Sequence, residues 1–140
     1  MEVMYNWWAI AGGTAVSIVI GMLWYSPSLF GEAWMKAAKL SKKDTQENQT
    51  KPMIVAMVRA FLVAFALYHI IYVTAAFYSE SSWFTNSWQV GVWVGIIFGS
   101  LGIKMHDAFD KRPMILTKIN AGFELASIVL AAVAIGLIGV

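Results

Sequence analysis

The chain has 140 residues, of which 59% are apolar, 14% aromatic and only 13% charged, where an ordinary soluble domain carries roughly 25% charged residues. Mean hydropathy is +0.66. A small soluble domain keeps too high a ratio of surface to volume to hide that much apolar surface. The absence of cysteine and a net charge of only +2 also exclude a disulfide scaffold and a nucleic-acid binder, which leaves a small integral membrane protein.

Four apolar blocks follow in chain order. Residues 5–25 carry no charge, 53–76 are interrupted only by Arg59 and His69, 87–103 are uncharged, and 114–140 contain Lys118 and Glu124. A spanning helix needs ~20 mostly apolar residues to cross ~30 Å of hydrocarbon. The third block is short, about 25 Å at the helical rise, and spans only if it stands upright or if Lys104 snorkels. Backbone groups in lipid must be satisfied internally, and the blocks lack the ~10-residue alternation of barrel strands. The expectation is therefore an all-α membrane protein, one domain over residues 1–140, with four transmembrane helices in a bundle. The first block is expected to stay in place and not be cleaved as a signal peptide, because Glu2 is the sole early charge and no basic n-region precedes it.

All ten Lys and Arg residues lie in or beside the segments that join spans 1–2 and 3–4; the N-terminal residues and the 2–3 connection have none. The positive-inside rule then predicts both termini outside a bacterial plasma (inner) membrane and both basic connections in the cytoplasm. Tyr5, Trp7, Trp8, Trp83, Phe84 and Trp88 fall at the outer edge, and Trp24, Tyr25 and Trp34 at the inner edge, as amphipathic rings do at headgroup level.

After the first span, Ser26-Pro27 can open a helix. Phe30, Ala33, Trp34 and Ala37 share a face at helical spacing, which predicts a short amphipathic helix over about 28–40 lying in the inner interface; the alternative is a cytosolic loop with a chance pattern. Ser41 to Asp44 has the form of a capping box. Thr45–Thr50 is polar and expected to be mobile. The Asn48-Gln49-Thr50 sequon falls on the cytoplasmic side under this topology and is discounted.

The stretch Trp24-Tyr25-Ser26-Pro27-Ser28-Leu29-Phe30-Gly31-Glu32-Ala33-Trp34-Met35 and a second stretch, Phe109 to Pro113 followed by Ile119-Asn120-Ala121-Gly122-Phe123, carry a resemblance. The chain resembles the bacterial four-helix membrane family called domain of unknown function seventeen-sixty-one, over roughly residues 6–44 and 109–127. The first motif is long and specific. The second span and the 2–3 connection match nothing quotable, and the Met105-His106-Asp107 approach departs from the family's usual polar residue. The resemblance implies the fold and no activity.

Glu124 falls ten residues into the fourth span, about 15 Å deep. A carboxylate there costs ~2.5–3.5 kcal/mol on insertion scales, so it must be paired, protonated or facing water. Asn120 lies one turn earlier, and Ser127 and Ala131 continue the stripe. Arg59 sits near the level of Asn120 on the second span, which runs in the same direction. The expected intramembrane polar cluster is thus Arg59, Asn120 and Glu124. It fixes helix register on one reading and forms a proton- or ion-linked site on another; on a third, Arg59 snorkels to the interface.

His69, among Phe61, Phe65, Tyr68 and Tyr72, reads as a hydrogen-bonded packing residue. His106, Asp107 and Asp110 read as a solvated turn beside Lys111 and Arg112, with a divalent metal as the alternative. No nucleophile set, phosphate loop or zinc motif occurs, so no catalytic, cofactor or metal residue is assigned.

Gly13, Ser17 and Gly21 on the first span, and Gly91, Gly95 and Gly99 on the third, repeat every four residues, as in small-residue ridges that let helices approach closely in lipid. Either both ridges are used inside one bundle, or one of them serves a second subunit. Trp24, Tyr25, Phe30 and Trp34 are candidate contacts to a partner or to lipid. Gly31 is expected to remove bulk where the elbow after Pro27 packs on a neighbouring helix. The leading reading is a non-enzymatic structural or accessory membrane subunit, a homo-oligomer or part of a larger membrane complex in the bilayer. The alternative is an oligomeric transporter of a small solute or of protons or ions through Glu124. Small multidrug transporters also have four helices and a membrane Glu, but theirs is in the first helix, which here is uncharged.

Overall fold

The structure, a computed structural model, describes residues 3–47 and 49–140; Glu2 and Asn48 of the sequon lie outside them. Four long helices can cross a membrane: α1 Trp7–Trp24, α4 Thr50–Phe77, a composite third span Trp83–Phe109, and α7 Met114–Ile138. Two short helices, α2 Gly31–Ala38 and α3 Lys42–Gln46, lie between the first two spans. The third span consists of α5 Trp83–Val94, a π-helical stretch Gly95–Ser100, and α6 Leu101–Phe109.

Local chemistry sets these boundaries. Asn6 caps α1 by accepting from the Trp8 and Ala9 amides at 3.0 and 3.3 Å. At the other end, the Tyr25 amide donates to Gly21 O, and the Phe30 and Gly31 amides fold back onto Trp24 O and Ser26 O. Gly31 has a different role from the one expected. A β-carbon there would collide with the carbonyls of Tyr25 and Ser26, so glycine is needed because the elbow closes on its own backbone. The short helix after the first span is shorter than 28–40, since Ser28–Phe30 form turns. It ends at Lys39, which takes the left-handed conformation (φ 57°) while the Leu40 amide donates to Met35 O, a Schellman-type close.

Ser41 and Asp44 form the reciprocal capping box of α3. The Ser41 hydroxyl and amide hold the Asp44 carboxyl below the usual carboxylate range. Thr45 and Gln46 are helical and Thr50 already opens α4, so the segment expected to be mobile is largely structured among the described residues.

The third span is longer than 87–103. Ser82 caps it by accepting from the Thr85 amide at 3.1 Å, and the helix runs on through Lys104, His106 and Asp107. Polar residues ended the apolar run there without ending the helix. The other spans differ from 5–25, 53–76 and 114–140 by three residues or fewer at each end.

Helix α7 is the axis of the bundle. It buries residues on several faces, including Ile119, Ile128, Ala131, Ala132 and Ile135, and α1, α4 and the third span all pack on it. Both small-residue ridges face it. A β-carbon on Gly13 would lie 3.0 Å from Ile135 and 3.3 Å from the Ala131 carbonyl; one on Gly91 would lie 2.6 Å from Ala132; one on Gly95 would lie 3.0 Å from Leu125. Gly21 meets the Phe123 ring at ordinary contact, and Ser17 between these two glycines is buried. The two ridges are therefore both used inside the bundle, where close backbone approach replaces the hydrophobic drive that lipid removes.

Candidate functional site: the elbow and the intramembrane ion pair

The elbow after α1 is bonded to the N-terminal half of α7. Trp24 Nε1 donates to Ile119 O at 3.0 Å, and the Tyr25 hydroxyl donates to Asn120 Oδ1 at 2.9 Å. The Trp24 ring lies over Gly122, where a β-carbon would come within 3.0 Å of it. Tyr25 meets Phe123 edge-on at 5.2 Å and Trp34 at 5.7 Å, and Phe30 packs on Trp24 at 4.7 Å. The first sequence stretch thus docks on the Ile119–Phe123 part of the second. Trp24, Tyr25, Phe30 and Trp34 mainly hold this junction, and Phe30 stays 39% exposed.

One turn further into the membrane, Arg59 Nη2 donates to Glu124 Oε2. Arg59 lies nine residues into α4 and Glu124 ten residues into α7, so the two are at matching depth. Glu124 is largely enclosed, its side chain 13% exposed, whereas that of Arg59 is 46% exposed. Asn120 does not bond to either of them; it takes the Tyr25 hydroxyl. Through this bond Tyr25 is tied to Asn120, one turn before Glu124 on α7, a neighbour of the ion pair that the sequence reading left out. Gly99 sits against Glu124, with a β-carbon position 3.2 Å from Glu124 Cβ. This places the π-helical stretch, a geometry often found at functional sites, against the backbone and Cβ of Glu124.

Asp107 is the second residue that sequence reasoning misplaced. It is buried inside α6 and not part of a solvated turn, accepting from the Thr117 hydroxyl at 2.8 Å with Arg112 at 3.8 Å. His106 and Asp110 are exposed. His69 is exposed on α4 and shares a 2.9 Å hydrogen bond with the Tyr5 hydroxyl. Among the described residues no His, Cys, Asp and Glu group has the arrangement of a metal site.

A four-span helical bundle with one intramembrane ion pair defines a small multi-pass membrane protein. The chain belongs to the bacterial family described as "Protein of unknown function (DUF1761)", whose model matches residues 8–136. No curated protein and no solved structure matches it.

Proposed function

We propose that this protein is a non-catalytic accessory subunit that binds another membrane-spanning chain, a second copy of itself included. The observation that supports this reading is on α4. Each residue from Thr50 to Val58 is exposed, so over about two and a half turns no face of this helix is buried in its own bundle; Arg59, the next residue, is exposed too but bonds to Glu124. Before Arg59 the helix stands clear, and Met53, Ile54, Val55, Met57 and Val58 are all at least half exposed. The polar side chains of the cluster are engaged within the chain, by Arg59 with Glu124 and Tyr25 with Asn120, in a way that fixes helix register. The orientation in this reading has both termini outside and both basic connections in the cytoplasm, supported by the one-sided placement of all ten basic residues. Native mass measurement of the protein extracted with its own membrane tests the proposal. A complex of fixed stoichiometry supports it; a monomer carrying lipid alone contradicts it.

A second reading, a proton- or ion-linked transporter, draws on the half-exposed Arg59 and on the π-helical stretch beside Glu124. It requires Glu124 to lose its partner and meet water during a cycle. Replacement of Glu124 by Gln separates the two readings: the transporter loses pH-driven flux in reconstituted vesicles while staying folded, and the subunit loses stability.

A further inference from the structure

The elbow, α2, α3 and the residue before α4 line a half-open pocket of about 590 Å3 at the end of α1. Its walls are of two kinds. Tyr25, Trp34 and Met35 give it aromatic and apolar surface, and Lys42, Thr45 and Gln49 give it polar groups, with the Thr45 hydroxyl against the Met35 sulfur at 3.6 Å. Lys42 is the one charged residue of this lining. Its neighbour Lys43 is engaged with Glu47 at 3.8 Å, whereas Lys42 forms no ion pair among the described residues. The cavity adjoins the point where a span ends, so it lies at headgroup depth whichever way the protein faces.

A single cation without an acidic neighbour in the lining selects an anion. The aromatic and thioether part of the lining selects a ligand that also carries apolar surface. The depth selects a molecule already resident at the interface. We propose that this cavity seats the phosphodiester of an anionic phospholipid, with the Lys42 ammonium on the phosphate, Thr45 and Gln49 beside the glycerol, and the start of the acyl chains along Trp34 and Met35. Tyr25 is part of the lining, and its hydroxyl already donates to Asn120, so a seated lipid touches the same side chain that closes the junction with α7. This inference stands independently of the subunit reading, since a monomer and a complex present the same elbow.

The test uses the full chain in detergent, exposed to equimolar phosphatidylglycerol and phosphatidylcholine with identical acyl chains, and read by native mass spectrometry. The expected result is retention of phosphatidylglycerol over phosphatidylcholine by about fivefold, the effect of one interfacial lysine. Lys42→Gln removes that preference, Lys43→Gln keeps it, and millimolar inorganic phosphate leaves the lipid bound. Equal loss in the two lysine variants would overturn the proposal, because it would make the attraction a diffuse property of the basic segment. Displacement of the lipid by inorganic phosphate, with phosphate binding that depends on Lys42, would also overturn it in favour of a soluble phosphate ligand. An absence of preference between the two lipids in the unaltered protein would do the same.

Discussion

The Arg59 guanidinium bonds to the Glu124 carboxylate across α4 and α7 at matching depth, and it is the only link of opposite charges between the membrane-spanning segments of the described residues. Isolated charges in hydrocarbon are costly, and pairing reduces that cost. Removing one partner from a buried pair costs ~3–5 kcal/mol; the 46% exposure of Arg59 reduces the expectation here to about 1–3 kcal/mol. Glu124→Gln should therefore lower thermal stability in detergent by a measurable margin. The double variant Arg59→Met with Glu124→Leu should recover most of the loss, because no charge is left unpaired. A double variant as unstable as the single one would show that the pair is not what Glu124 contributes.

At the elbow, Gly31→Ala forces a methyl group against the Tyr25 and Ser26 carbonyls. Overpacking of this kind costs about 1–3 kcal/mol. Glu32→Ala, one residue on and exposed, should stay within ~0.5 kcal/mol of the parent. Melting curves of the two variants compare them directly, and similar curves would remove Gly31 from the account of the elbow.

Along the third span, Gly91→Leu should disrupt the bundle and Phe98→Leu should not. A β-carbon on Gly91 already meets Ala132 at 2.6 Å, while Phe98 is 76% exposed and faces away from α7. Expression and size-exclusion profiles report the difference. A well-folded Gly91→Leu protein would mean that the third span does not press on α7 as closely as described.

The fold was legible in the sequence because lipid restricts the choice so severely. A run of about 20 apolar residues has helix as its economical state, and the small residues on two of those runs mark where backbones meet. Arg59 and Glu124 could be placed at similar depth by counting residues from the basic ends. Tyr25 could not be joined to Asn120 this way, since 95 residues separate them and an interfacial tyrosine looks the same whether it faces headgroups or another helix. The only signal was the pairing of two motifs, whose contact the sequence does not display. Asp107 was misread for a related reason: hydropathy registers its charge, but its burial depends on Thr117 across a tight turn. The π-helical stretch left no mark at all, because Gly95–Ser100 has the same composition as an ordinary small-residue ridge.

Orientation has its own test. A cysteine at Ser81, in the connection without basic residues, should react with a membrane-impermeant reagent in intact cells, and one at the exposed Lys43 should react only after lysis. The reverse pattern would invert the topology and place the elbow cavity on the outer surface.

The subunit reading is tested most directly on α4 in the native membrane. A photo-reactive side chain at Val55, 66% exposed in the stretch that stands clear of the bundle, is compared with one at Phe98, 76% exposed on the third span. The account predicts a single protein adduct of defined mass at Val55, at twice the chain's mass if the partner is a second copy, and none at Phe98. Lipid adducts alone at both positions would contradict it.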